Sequence, residues 1–96
     1  MEELSEERLD KYLSITKRAI NKVKLNKEGE IENWQNAAED FFDMAQRYYN
    51  DALHFRKQGR EMDAFAAVNY AHGWLDAGAR IGLFDVNHDN TLFTVD

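Results

Sequence analysis

The feature that most constrains this chain is a long apolar stripe between residues 32 and 58. Its members recur alternately every four and every three residues, which is the spacing of one face of an α-helix. They are Trp34, Ala38, Phe41, Ala45, Tyr48, Ala52 and Phe55. Other apolar residues widen the stripe to about half of the helix circumference, at roughly 100° per residue. A helix that is half apolar has to pack against two neighbours, so the chain needs at least two further elements.

Two other segments supply those neighbours. Residues 6–24 carry an apolar stripe of helical spacing after Ser5, a favourable N-cap residue, and residues 61–83 carry another after Gly59, a favourable helix stop. Proline, which would break a helix, is absent from the sequence. We therefore predict helices at about 6–24, 32–58 and 61–83. The core that they share should include Phe41, Ala45, Tyr48, Ala52, Val68, Ala71 and Leu75.

The last segment, residues 84–96, changes character. Leu92, Phe93 and Val95 are too apolar for a free end, so we expect an irregular or extended tail that packs back onto the helices. Ninety-six residues suffice for one core and are too few for two. We predict an all-α fold, an antiparallel up-and-down three-helix bundle with a short C-terminal tail, formed by residues 1–96 as a single domain.

Three glycines in the third predicted helix need a reason, because each costs about 1 kcal/mol relative to alanine. Gly78 and Gly82 share the apolar face, so we expect another helix to approach closely there. Gly73 lies on the other side of the helix, where a contact between helices does not explain it.

Composition excludes several classes of function. The chain has no cysteine, so it has no disulfide, no cysteine-bound zinc and no thiol nucleophile. It has neither a long apolar run nor a signal-like start, so we expect no membrane association and a cytoplasmic location. Its net charge of −6 disfavours general binding to nucleic acid.

The charge is unevenly distributed along the chain. Basic residues and no acidic ones occupy positions 11–27, whereas acidic residues dominate from Glu28 onward. Lys11, Arg18 and Lys22 fall on the outer face of the first predicted helix. We expect these three to be either solvated or turned toward an acidic partner, such as the second helix of another copy.

Two stretches carry a recognisable pattern. Residues 44–55 are Met-Ala-Gln-Arg-Tyr-Tyr-Asn-Asp-Ala-Leu-His-Phe, and residues 70–82 are Tyr-Ala-His-Gly-Trp-Leu-Asp-Ala-Gly-Ala-Arg-Ile-Gly. Together they resemble a small archaeal family known as domain of unknown function 357. The resemblance implies a three-helix up-and-down bundle, and it implies neither an activity nor any catalytic residue.

The best candidate site is a ridge on the third predicted helix, formed by Asn69, His72, Gly73, Asp76 and Arg80. Asp76 lies one turn from both His72 and Arg80, so it could orient the imidazole beside a guanidinium. The glycine would let a ligand or a partner's backbone approach. The alternative is an ion pair that borders the core, with His72 as a packing residue.

A second candidate is Arg47 with His54 on the second predicted helix. Their spacing resembles the arginine–histidine motif of helical ribonucleases of the higher-eukaryote and prokaryote nucleotide-binding class, in which the pair would act at an RNA phosphodiester. Asp43 and Asp51 lie one turn from Arg47 and would repel phosphate. Ion pairing at the surface is the simpler interpretation.

A weaker candidate is a metal site in the tail. Asp85, Asn87, Asp89, Thr91 and Asp96 fall at positions 1, 3, 5, 7 and 12 of a calcium-binding loop. Asp96 is shorter than the usual glutamate, and a turn rich in Asp and Asn explains the same residues. We expect no metal and no other cofactor.

These observations favour a non-enzymatic interaction module that binds an unknown protein partner or associates with itself. The alternative is an RNA- or nucleotide-related enzyme that uses Arg47 and His54, or His72, Asp76 and Arg80. The two hypotheses differ in whether those side chains line one concave pocket.

Overall fold

The computed structural model describes residues 5–25 and 32–93. Three helices form its body: α1 Glu6–Lys22, α2 Glu32–Lys57 and α3 Glu61–Arg80. Two short strands, β1 Lys24–Leu25 and β2 Phe84–Asp85, pair in antiparallel fashion. All three helices pack against one another, and α1 lies mainly on α3. The predicted all-α bundle is therefore confirmed, with the strand pair as a small addition.

The start and end of α1 have clear local causes. The Ser5 hydroxyl oxygen accepts a hydrogen bond from the Arg8 backbone N–H at 3.1 Å, which confirms the predicted N-cap. The helix ends at Lys22 because Val23 is extended, with φ −63° and ψ 133°. Lys24 leaves the helix to pair with β2, so the prediction that the helix extends to residue 24 is wrong by two residues.

A tight connection makes α2 and α3 antiparallel neighbours. Gly59 has φ +75°, a conformation that favours glycine, and its N–H donates to the Arg56 carbonyl at 3.0 Å. The Arg60 N–H donates to the Phe55 carbonyl at 2.9 Å. This is the hydrogen-bond pattern that terminates many helices at a glycine, and it reverses the chain within three residues.

The same terminating pattern ends α3 earlier than predicted. Gly82 has φ +88°, and the Leu83 N–H donates to the Gly78 carbonyl at 2.9 Å. The helix therefore ends at Arg80 rather than at residue 83. Gly82 lies outside the helix, so its predicted role in a contact between helices is wrong.

Gly78 makes room for the tail rather than for another helix. A Cβ atom at this position would overlap the ring of Phe84, which is itself buried. Since the nearest atoms all belong to Phe84, the expected contact between helices is wrong here also. The residue is small because the chain folds back over α3 directly after the helix ends.

The core between α2 and α3 is built on small side chains. Ala38, Ala45 and Ala52, spaced seven residues apart, are fully buried on α2. Five of the seven predicted core residues are fully buried, namely Ala45, Ala52, Val68, Ala71 and Leu75. Phe41 and Tyr48 are only half-buried, because their rings lie at the edge of the contact between the helices.

The tail closes one end of the bundle. Leu92 and Phe93 are buried, which confirms that this segment packs back onto the helices. They join Leu83, Phe84 and Val86 in one cluster with Leu75 and with residues of α1 and α2. Val95 lies outside the described residues.

We predict opposite effects on stability when two glycines of α3 are replaced by alanine. Gly78→Ala should lower the free energy of unfolding by about 1–3 kcal/mol through overpacking against Phe84. Gly73→Ala is the matched control, because in the described part of the chain nothing lies within 4 Å of the methyl group that this substitution adds. It should raise stability by about 0.5–1 kcal/mol through better helix propensity. Urea unfolding at low protein concentration measures both, and equal effects at the two positions would contradict this packing.

Candidate binding surface on the third helix

The five residues of the predicted ridge all lie on α3 but differ in exposure. Asn69, Gly73 and Arg80 are exposed to solvent. The side chains of His72 and Asp76 are 21% and 31% exposed, so these two border the core. The ridge is thus an exposed row beside a pair of partly buried groups.

His72 connects three parts of the fold. Its Nδ1 atom lies 3.1 Å from the hydroxyl oxygen of Thr16, which is buried on α1. Its Nε2 atom lies 2.7 Å from the carbonyl oxygen of Leu92 in the tail. The imidazole also stacks on the ring of Phe93, with 6.4 Å between centroids. One side chain on α3 therefore holds both α1 and the tail.

The two hydrogen bonds define the tautomer of His72. A carbonyl oxygen can only accept, so Nε2 carries the proton and donates to Leu92. In the neutral ring, Nδ1 then accepts from the Thr16 hydroxyl. Both ring nitrogens are occupied by protein groups.

Asp76 does not orient this imidazole as a catalytic carboxylate would. Its Oδ1 atom is 3.7 Å from Nε2 of His72, which is beyond hydrogen-bond distance. The Nε2 proton points instead to the carbonyl of Leu92. Asp76 contributes negative charge beside the ring, and Arg80 lies one turn further in the last turn of α3.

Arg47 and His54 are separated on α2 and bind different neighbours. They are two turns apart, about 10 Å along the helix axis at 1.5 Å per residue. The Arg47 Nε donates to the Asp43 carboxylate at 2.7 Å, and both side chains are more than half exposed. His54 Nε2 lies 3.1 Å from the side-chain nitrogen of Gln58. The structure does not bring the two candidate groups together.

The acidic residues of the tail accept hydrogen bonds from the backbone of the tail itself. Asp85 accepts from the Asn87 N–H at 3.0 Å, and Asp89 accepts from both the hydroxyl and the N–H of Thr91, at 2.6 and 3.0 Å. Asp89 also accepts from the Leu92 N–H. Asp96 lies outside the described residues. Within residues 5–25 and 32–93, no three potential metal ligands converge.

An exposed apolar stripe follows α3 to its C-cap residue Ile81 and was not predicted from the sequence. Met62, Tyr70 and Ile81 are 74%, 52% and 54% exposed, although each is large and mainly apolar. Exposed small residues fill the spaces between them. We call this set the outer stripe; it consists of Met62, Ala66, Tyr70, Gly73, Ala77 and Ile81. The regular spacing of these residues could have been recognised in the sequence, because they form a second apolar face on a helix that already has one.

Aromatic rings support the middle of the outer stripe. Tyr70 packs edge-on against Tyr48 of α2 at 4.4 Å between centroids and contacts Trp74 at 6.1 Å. Trp74 packs in turn against Phe41 at 4.9 Å. The rings of Phe41, Tyr70 and Trp74 surround a shallow apolar recess of about 270 Å³, in which Gly73 provides open space.

The indole ring of Trp74 belongs to this aromatic group, and its nitrogen is a special case. The nitrogen is buried and has no hydrogen-bond partner among the described residues. An unpaired buried N–H costs about 1–3 kcal/mol, so the aromatic packing has to offset that loss.

The basic face of α1 is separate from this surface. Lys11, Arg18 and Lys22 are exposed, as the helix pattern predicted. Lys17, beside them, extends its ammonium over the ring of Tyr49 at 5.5 Å from the centroid. Burial raises the pKa of the Tyr49 phenol above its ordinary value.

The family model for proteins of unknown function DUF357 matches residues 11–84, well over half of the chain. The chain belongs to the DUF357 family. The resemblance drawn from residues 44–55 and 70–82 is thereby confirmed, and membership assigns no activity. No curated protein and no solved structure matches the chain. Among the described residues of this DUF357 chain, no helix has both the length and the apolar character needed to span a membrane.

We predict that Thr16 stabilises the DUF357 fold through His72. Thr16→Val keeps the shape of the side chain but leaves Nδ1 of His72 without a donor, which should cost about 1–3 kcal/mol. In a His72→Phe background the same change should cost much less, because neither partner then remains unpaired. Chemical denaturation of the four proteins measures the coupling. An equal cost of Thr16→Val in both backgrounds would show that the hydrogen bond does not stabilise the fold.

We predict that Asp89 stabilises the tail only above acidic pH. The Thr91 hydroxyl holds the pKa of Asp89 below its ordinary value of 3.8, assisted by backbone N–H groups and the charge of Lys22 and opposed by burial. A carboxylate with a lowered folded-state pKa stabilises the fold fully above its unfolded-state pKa, and this stabilisation disappears as pH falls through the folded-state value.

The difference in unfolding free energy between the native chain and Asp89→Asn should therefore be constant near neutral pH and shrink below about pH 4. Asp51→Asn, on the exposed side of α2, controls for the loss of one negative charge. A difference that grows toward acidic pH would have the wrong sign for this account.

Proposed function

We propose that this DUF357 chain is a non-enzymatic interaction module that binds a protein through the outer surface of α3. The observation that supports the proposal is the outer stripe. A surface helix normally places charged residues opposite its core-facing side, whereas none of the six stripe residues is charged. An exposed apolar patch of this kind is typical of a surface that another protein covers.

The polar edge beside the stripe supports the same interpretation. Asn69, Asp76 and Arg80 flank the apolar residues on one side, as polar groups rim the apolar centre of many protein interfaces. Tyrosine and arginine are the residue types that most often dominate binding energy. Gly73 allows a partner to approach the α3 backbone closely. His72 fixes α3 against α1 and the tail through its two hydrogen bonds.

The arrangement of the catalytic candidates also favours binding over catalysis. A general base needs a ring nitrogen within reach of a substrate proton. Both nitrogens of His72 contact protein groups, and Arg47 is paired with Asp43. An enzyme that used Arg47 and His54 would have to act across two turns of an exposed helix.

Site-specific photo-crosslinking in native lysate at moderate salt tests the proposal. A photoreactive amino acid at position 77, within the outer stripe, should form discrete crosslinks to another protein or to a second copy. The matched probe at position 46, exposed on α2, should form none. If position 77 crosslinks no more than position 46, the interaction module is contradicted. A ribonuclease activity of the purified chain that Arg47→Ala abolishes would support the enzyme instead.

We predict that Arg80 contributes to binding and little to folding. Arg80→Ala should change the free energy of unfolding by less than about 0.5 kcal/mol, as is usual for an exposed charge. The yield of crosslinks from position 77 should nevertheless fall severalfold. Arg47→Ala removes the same charge from α2 and should leave the yield unchanged. A large loss of stability in Arg80→Ala would instead identify this residue as structural.

A further inference from the structure

The outer stripe has a spacing that is the same in both directions along the chain. Its successive members are separated by four, four, three, four and four residues. The midpoint falls between Ala71 and His72. A stripe of this kind can face a second copy of itself when the two helices run in opposite directions about a two-fold axis.

The sizes of the side chains match under that pairing. Met62 of one copy lies level with Ile81 of the other, and the small Ala66 lies level with Ala77. Tyr70, the largest residue of the stripe, lies level with Gly73. Large residues therefore meet at the two ends, small ones meet between, and each tyrosine meets a residue that has no side chain.

No contact among residues 5–25 and 32–93 of a single copy explains Gly73. It weakens α3 by about 1 kcal/mol relative to alanine, and no atom of the described residues lies within 4 Å of the Cβ that it lacks. It contributes the open side of the recess lined by Phe41, Trp74 and Ala77. A ring approaching from a second copy would occupy that space.

The tyrosine ring is already held in place for such a contact. Tyr70 is half exposed, yet Tyr48 and Trp74 pack against it on its own copy. A side chain held in its bound position loses little conformational entropy on association. The fold thus presents both halves of the contact, the ring and the recess, on the same helix.

We propose that two copies of this chain pair through their outer stripes, antiparallel about a two-fold axis, with Tyr70 of each copy over Gly73 of the other. The pairing rests on the proposed function, because it uses the same surface of α3 and names its partner. The stripe spans nineteen residue steps, about 28 Å at 1.5 Å per residue. One pair of helices buries an area at the low end for specific interfaces, so the dimer is weak, with a Kd of roughly micromolar order.

Salt distinguishes this pairing from association through the basic face of α1. Each copy carries a net charge of −6, so the copies repel, while the stripe itself is uncharged. Raising salt from about 0.1 M to 1 M shortens the screening length from about 10 Å to about 3 Å. The proposed dimer therefore persists at high salt, whereas a dimer held by Lys11, Arg18 and Lys22 would dissociate.

Cysteine crosslinking tests the register directly, because the native chain has no cysteine. An Ala66→Cys protein mixed with an Ala77→Cys protein should form a disulfide between the two variants, since these positions lie level. Either variant alone should crosslink slowly, because its two cysteines would be about 16 Å apart along the helix axis. Equal rates for the mixed and single variants, or preferential Ala66→Cys self-linking, would overturn the antiparallel register.

Sedimentation equilibrium of the full chain, from low micromolar to several hundred micromolar, tests the contact itself. Gly73→Leu should weaken the dimer at least tenfold, because the new side chain fills the recess that Tyr70 of the other copy needs. Non-specific apolar association would instead become stronger. Gln46→Leu adds the same side chain on exposed α2 and should leave the Kd unchanged.

A monomer throughout this range, or a dimer unaffected by Gly73→Leu, would overturn the pairing. The proposed function fails separately, when a photoreactive group at position 77 crosslinks to no protein at all. Crosslinks only to other proteins, from a chain that sediments as a monomer, would keep the proposed function and contradict the pairing.

Discussion

The close approach of other elements to α3 is the constraint on which the rest of the structure depends. Ala64 and Ala71 are fully buried, and Gly78 follows them at the same seven-residue spacing. Ala64 and Ala71 bring α3 close to the buried alanines of α2, whereas Gly78 admits the ring of Phe84 from the tail. In a contact of this kind, small side chains stabilise the fold through many weak dispersion contacts rather than through the burial of a few large side chains. The fold therefore tolerates little added volume on the inner side of α3.

The tail completes this packing by joining three elements at one histidine. Phe84 lies over Gly78 directly after α3 ends, which returns the chain toward α1. Asp89 then holds the Leu92 N–H, and His72 donates to the Leu92 carbonyl. Because Thr16 completes the second hydrogen bond of His72, α1 and the tail are fixed to the same point on α3. These contacts fix α3 in place, and its outer face remains exposed.

Much of this fold could be predicted from sequence because its determinants are local and periodic. The alternating spacing around Ala45 and Ala52 determined the buried face of α2, and Ser5 determined the start of α1. The end of α3 could not be located in the same way. An apolar pattern continued to residue 83, and only the conformation of Gly82 ends the helix earlier. The contact between Gly78 and Phe84 is also tertiary, so helix periodicity could not distinguish it from a contact between helices.

The candidate site could be predicted only in part, because some of its contacts are also tertiary. Residue spacing placed the five ridge residues together on α3, but it could not show that His72 is engaged by Thr16 and Leu92, 56 and 20 residues away along the chain. The outer stripe was readable in principle. Its residues recur at helical spacing in the sequence, but their exposure to solvent becomes visible only in the structure.

In the proposed dimer, α3 is apolar on two sides, one for its own core and one for a second copy. The most direct measurement is the concentration dependence of backbone amide chemical shifts in the full chain, from about 10 µM to about 500 µM, a range chosen to span a Kd of roughly micromolar order. We expect shifts that follow the outer stripe, largest around Tyr70 and Gly73, with the amides near Lys11 and Arg18 unchanged. Shifts confined to α1, or a spectrum that does not change with concentration, would contradict the proposed pairing.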